Sequence, residues 1–114
     1  MAAPDPDWSA IETEIEHIVA DPESRFSATA VAHIRDFLDL MRGRSPVPDV
    51  GWGYWRNSMR FCWNAASFEV EIFEDRLELY RFHDRRTEIR HIAHVIGEPF
   101  PADVTAALPP LPAG

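Results

Sequence analysis

Met59-Arg-Phe-Cys-Trp63, Phe68-Glu-Val-Glu-Ile72 and Leu77-Glu-Leu-Tyr80 decide the fold. In each run apolar side chains alternate with polar ones, the two-residue period of a half-buried strand. Asn64-Ala-Ala-Ser67 and Glu74-Asp75 separate the runs with turn-forming residues. Upstream, Trp52 and Tyr54 alternate with Gly53 and Trp55, and Asn57-Ser58 offers a tight turn into Met59. Downstream, His83-Asp84-Arg85-Arg86 turns into a last strand expected from Thr87 to Ile96, ended by Gly97-Glu98-Pro99. Turn signals at roughly ten-residue spacing predict sequential antiparallel strands, a meander over 50–96.

N-terminal to this region the period is helical. Ile11, Ile15, Ile18 and Val19 share one face, and Ser9 with Glu12 has the form of a capping box. Asp21-Pro22 ends that helix, because proline disfavours helical geometry in the residue before it. A second helix is expected from Ser27 to Arg42, with Val31, Ile34, Leu38 and Met41 as its stripe and Gly43 as its left-handed cap. Arg44-Ser-Pro-Val-Pro-Asp49 is a connector too short to separate two domains. Residues 101–108 read as a short helix and 109–114 as a Pro-rich tail. The expectation is one α+β domain over 1–114. A helical hairpin (9–42) packs on a four- to five-stranded antiparallel β-meander (50–96), with a short C-terminal helix following.

The chain has 114 residues, enough for one core and too few for two domains. Cys62 is the single cysteine, so no intrachain disulfide forms, whereas secreted domains of this size are usually disulfide-stapled. The first residues, Met1 to Trp8, lack the basic and apolar runs of a secretory signal, and no membrane-length apolar stretch occurs. A cytoplasmic protein with no membrane partner is the expectation. Net charge is −8, against the sign that phosphate neutralisation requires, so direct nucleic-acid binding is disfavoured. The charge is uneven. Seven acids and no base fall in 1–24, while 76–94 carries Arg76, Arg81, Arg85, Arg86 and Arg90 with His83, His91 and His94.

No glycine-rich phosphate loop, nucleophile elbow or zinc-protease motif is present, so no catalytic residue is assigned. His91 and His94 point to opposite faces of a strand, which argues against one shared metal ion, and no cofactor is expected. Cys62 flanked by Phe61 and Trp63 is expected to be buried and inert.

Four tryptophans in so short a chain, three of them between Trp52 and Trp63, are the main anomaly. Trp52 and Trp63 are expected in the core. Trp55 is out of phase with Trp52 and Tyr54, and so is expected to face outward. Tyr80, Phe82 and Phe73 share the second sheet face with Glu69, Glu71 and Glu78, and with Arg60 and Arg90. A face both apolar and charged suits a docking surface or a homodimer seam. The expected function is a small acidic protein-binding module: an inhibitor, immunity or antitoxin-like protein, or an accessory subunit. Its contacts would be Trp55, Tyr80, Phe82, Arg81, Arg85 and Arg86. Its partner would be another protein, basic or a nucleic-acid enzyme, reached by electrostatic steering. A second reading is a ligand or enzymatic pocket between helices and sheet using His83, His91, Glu69 and Glu71. A third is nucleic-acid binding through the Arg76–Arg90 hairpin, with Tyr80 and Phe82 stacking on bases.

Overall fold

The computed structural model describes residues 6–111. Helix α1 (Pro6–Ala20) and helix α2 (Ala28–Met41) precede five strands, β1 (Asp49–Trp52), β2 (Met59–Trp63), β3 (Phe68–Ile72), β4 (Arg76–His83) and β5 (Arg86–Ala93). Helix α3 (Ala102–Ala107) closes the sequence of elements. The sheet has the order β1-β2-β3-β4-β5 with every neighbour antiparallel, the α+β meander that the alternation predicts.

Three boundaries differ from expectation, the first being that strand β1 ends at Trp52, so that Tyr54 and Trp55 lie in a loop and not in the alternating strand. Helix α1 opens at Pro6, where a missing backbone N–H costs nothing, and not at Ser9. Ser9 lies inside the helix, its carbonyl accepting from the Thr13 hydroxyl at 3.1 Å, so the capping box does not form. The early start puts Trp8 on the stripe of Ile11, Ile15 and Ile18, and all four are buried. Strand β5 ends at Ala93 and not at Ile96, because its partner β4 begins at Arg76, opposite Ala93. Met1–Asp5, where no secretory signal is expected, and residues 112–114 of the Pro-rich tail lie outside the described residues.

Helix α2 does begin at a Ser27 cap, whose hydroxyl accepts the Ala30 N–H at 3.0 Å. It stops at Gly43, whose φ of +77° only glycine adopts freely. Ile34, Phe37, Leu38 and Met41 of α2 and the α1 stripe pack on one sheet face, formed by Met59, Phe61, Trp63, Phe68, Val70, Ile72, Leu77 and Leu79. Val104 and Leu108 join that same core from the α3 region. The Trp63 indole donates to the Pro46 carbonyl at 2.8 Å, so the connector is held where a buried N–H needs an acceptor. All three helices thus lie on one side of the sheet. Among the described residues no helix is long and apolar enough to cross a membrane.

Candidate functional site

The register assigns each strand residue to a face. Arg60, Cys62, Glu69, Glu71, Glu78, Tyr80, Phe82, Thr87, Ile89 and His91 point away from the helices. Among the described residues no helix covers this open face. One end of it is roofed by the β1–β2 loop, Gly53 to Ser58.

A buried carboxylate holds that roof. Glu71 has no exposed surface, although alternation places it on the outer side. Its Oε2 accepts the Tyr54 backbone N–H at 2.8 Å and the Ser58 hydroxyl at 2.5 Å, and its Oε1 accepts the Tyr80 hydroxyl at 2.8 Å. Gly53 is required at the crossing: a Cβ there would lie 2.0 Å from Ser58 Oγ and 2.9 Å from the Ser58 carbonyl carbon.

Directly across the strand pair stands Glu78. Like charges in that position repel, and the Tyr80 hydroxyl sits between them, 2.6 Å from Glu78 Oε2. Its one proton serves one carboxyl at a time. Burial pushes the Glu78 carboxyl up, but the Tyr80 hydroxyl, Arg76 at 3.4 Å and His91 at 3.0 Å outweigh it and hold the group below its ordinary range. Burial, with both carboxylates as acceptors, holds the Tyr80 hydroxyl protonated far above its ordinary value.

Aromatic rings extend from this network along the face. Tyr54 lies 5.5 Å from Tyr80, and Tyr80 stacks on Phe82 at 6.4 Å with planes 9° apart. The Arg60 guanidinium stands 5.1 Å over the Tyr54 ring, and the Tyr54 hydroxyl donates to Glu69 at 3.0 Å. Exposed apolar surface gathers at Tyr54 (53%), Trp55 (65%), Phe82 (37%) and Ile89 (50%). Trp55 borders a shallow depression of about 370 Å³ between the loop and Asp21 and Glu23.

The six expected contact residues are therefore only partly together. Tyr80 and Phe82 share the open face, but Tyr80 is buried, with its hydroxyl committed to the network. Trp55 is exposed at the loop. Arg85 and Arg86 lie at the β4–β5 tip, beside Phe82 in a depression of about 630 Å³. Arg81 is on the helix side, its guanidinium 5.1 Å over the Phe68 ring, because it is out of phase with Tyr80 and Phe82. Arg90 is likewise on the helix side, opposite Leu79 and 2.8 Å from Asp103, and not on the second face.

Cys62 is half-buried on the open face, turned away from Phe61 and Trp63. Burial, with Glu69 nearby, pushes its thiol up to about 11, which removes the thiolate needed for nucleophilic attack near neutral pH. Of the residues considered for a pocket between helices and sheet, Glu69, Glu71 and His91 lie on the opposite side of the sheet from the helices. His83 is held by Glu88 at 3.0 Å near the hairpin tip. These four side chains do not converge. Among the described residues no group of three or more His, Cys, Asp or Glu is arranged to hold a metal ion.

His33 falls on the buried stripe of α2 between Ala30 and Phe37, a placement that helical spacing alone makes legible. It is fully buried. Its Nδ1 meets the Phe73 carbonyl at 2.5 Å and its Nε2 meets His94 Nδ1 at 2.8 Å, while His94 Nε2 meets the Glu98 carbonyl at 2.8 Å. Phe100 stacks on His94 at 4.0 Å, and Asp36 accepts the Gly97 N–H at 3.1 Å. This clasp fastens the segment after β5 to α2 and to the β3–β4 turn.

Burial, reinforced by the neighbouring His94, holds His33 below its ordinary value of 6.5 despite the Phe73 carbonyl, Asp36 and Asp75. Its unfolded form therefore takes up a proton at higher pH than its folded form. The His33 contribution to stability is complete above pH 6.5 and is lost as pH falls below it. Thermal unfolding between pH 8 and 5 is expected to show a falling midpoint below 6.5, and His33→Gln is expected to flatten that slope. An unchanged slope in the variant would remove His33 as its source.

Comparison with protein-family models, with curated proteins and with solved structures gives no match. What the fold and the face define is a class by architecture, an antiparallel meander covered by helices on one side and open on the other.

Proposed function

We propose that this chain is a non-catalytic protein-binding module that acts through the open face of its sheet and the β1–β2 loop. One observation supports this above the others. Tyr54, Trp55, Phe82 and Ile89 remain exposed on or beside a face whose base is locked by the Glu71–Tyr80–Glu78 network. Aromatic side chains on a rigid platform bind at low entropic cost and supply most interface energy. Net charge of −8 steers such a module toward a basic protein surface, including the cleft of a nucleic-acid enzyme. An inhibitor, immunity or antitoxin-like role, or that of an accessory subunit, fits this combination. Trp55 and Phe82 are the anchors, Tyr80 is the buried support beneath Phe82, and Arg85 and Arg86 flank the far end.

The test is capture from source cells with wild type, Trp55→Ala, Phe82→Ser and a control, Arg35→Ala, on the exposed side of α2. Wild type and control are expected to retain one stoichiometric partner. Each aromatic variant should weaken binding of that purified partner by about thirtyfold, the usual effect of losing an interface anchor. Absence of any stoichiometric partner, or equal binding by all four proteins, removes the proposal.

A further inference from the structure

The two edges of the sheet are built differently. Strand β1 has four residues, follows Pro46 and Pro48, and packs its apolar side chains into the core. These are ordinary protections for an edge. Strand β5 has eight residues, pairs continuously with β4 without a bulge, contains no proline, and is exposed throughout except at half-buried Ile92. An edge of that length is a template for another strand.

The hydrogen-bond phase limits what can pair there. His94 N–H donates to the Asp75 carbonyl at 3.1 Å, just beyond the Arg76–Ala93 pair. The even-numbered residues of β5 therefore turn their backbone groups toward β4, because antiparallel pairs alternate in this way. Thr87, Ile89, His91 and Ala93 present theirs to the open edge.

We infer that β5 pairs antiparallel with β5 of a second copy of this chain, centred on Ile89 opposite Ile89, which joins the two meanders into one ten-stranded sheet. Charge selects this register among those that the hydrogen-bond phase allows. The outward-facing residues meet in phase, Ile89 with Ile89 and Thr87 with His91. Glu88 falls opposite Arg90 twice, on the helix side, so each charge meets its opposite. Sliding by two residues in one direction puts Glu88 against Glu88, and in the other Arg90 against Arg90. The strand is thus self-complementary in charge in the one register that its hydrogen bonds centre on Ile89. Within one protomer Glu88 is held by His83 at 3.0 Å and Arg90 by Asp103 at 2.8 Å, so the cross-strand pairs add to or replace these contacts. The twofold axis is perpendicular to the sheet, so both open faces lie on the same side, with Ile89 and Phe82 of each copy about the axis. The partner surface is doubled and not consumed.

Light scattering across a hundredfold dilution series tests this. Wild type is expected at twice 13.0 kDa at the concentrated end, with dissociation on dilution. Ile89→Pro deletes an outward N–H and leaves the β4 ladder intact, a place where an edge strand tolerates proline. It is expected to be monomeric with unchanged circular dichroism. Glu88→Arg and Arg90→Glu are each expected to be monomeric alone, yet an equimolar mixture should form a heterodimer, since both cross-strand pairs are then opposite in charge. A wild type that stays at 13.0 kDa throughout overturns the inference. So does a dimer that persists in folded Ile89→Pro, or a mixture of the charge variants that stays monomeric. Because Trp55 lies away from β5, failure of partner capture and failure of dimerisation are separate results.

Discussion

Glu71→Ala is expected to lower unfolding free energy by about 2 kcal/mol, from roughly 1–3 kcal/mol for a buried donor left unpaired. The donor stranded is the Tyr54 backbone N–H, since the Ser58 hydroxyl can turn to the Trp55 carbonyl at 3.1 Å and the Tyr80 hydroxyl to Glu78. For a chain of this size that is about 8 °C in thermal midpoint. Glu71→Gln should cost under about 1 kcal/mol, because its carbonyl oxygen still accepts both loop donors while its amide donates to the Tyr80 oxygen. The glutamine also removes a charge facing Glu78. Chemical denaturation of the three proteins measures both differences. Equal losses for alanine and glutamine would mean that charge, and not donor satisfaction, fixes the loop. In the alanine variant the β1–β2 loop should loosen first, seen as faster amide exchange from Gly53 to Ser58 with the β3–β4 ladder still protected.

Phe37→Ala is expected to cost about 4 kcal/mol, the usual range for truncating a fully buried ring being roughly 3–5 kcal/mol. Phe37 has no exposed surface. Its ring lies 5.3 Å from Phe61 of β2 and 6.0 Å from Phe100, so it joins α2, the sheet and the clasped C-terminal segment. Truncation opens a cavity at that junction, which partial relaxation does not refill. Phe37→Leu, which keeps most of the volume, should cost less than half as much. Unfolding followed by fluorescence and by circular dichroism should give coincident transitions in both variants, since helices and sheet share one core. A loss under 1 kcal/mol for Phe37→Ala would show that the helix–sheet packing around Phe37 does not carry the fold.

The open face was partly legible and partly hidden. Alternation placed Glu69, Glu71, Glu78, Tyr80 and Phe82 together, and the register agrees. The same alternation already separates Arg81 from Tyr80 and Phe82, so grouping it with them set proximity in sequence above phase. Arg90 was misplaced for a different reason. Its face depends on the pairing Leu79 with Arg90, which a two-residue turn at Asp84-Arg85 sets and composition does not. Trp55 is exposed as expected, but because it lies in the β1–β2 loop beyond Trp52, where strand phase does not apply; Tyr54, in phase with Trp52, is exposed too.

The amino-acid sequence by itself determined what depends on near neighbours: two helices, five alternating strands, their turns, and therefore the antiparallel meander. Periods of 3.6 and 2 are local properties, read within a dozen residues. Only the tertiary structure decided which outer-face residues are dry. Glu71 and Tyr80 are buried because a loop 17 residues upstream of Glu71 folds over them, and His33 meets His94 across 61 residues. Solvent exclusion is set by whatever chain arrives from elsewhere, and no periodicity within a strand encodes that arrival.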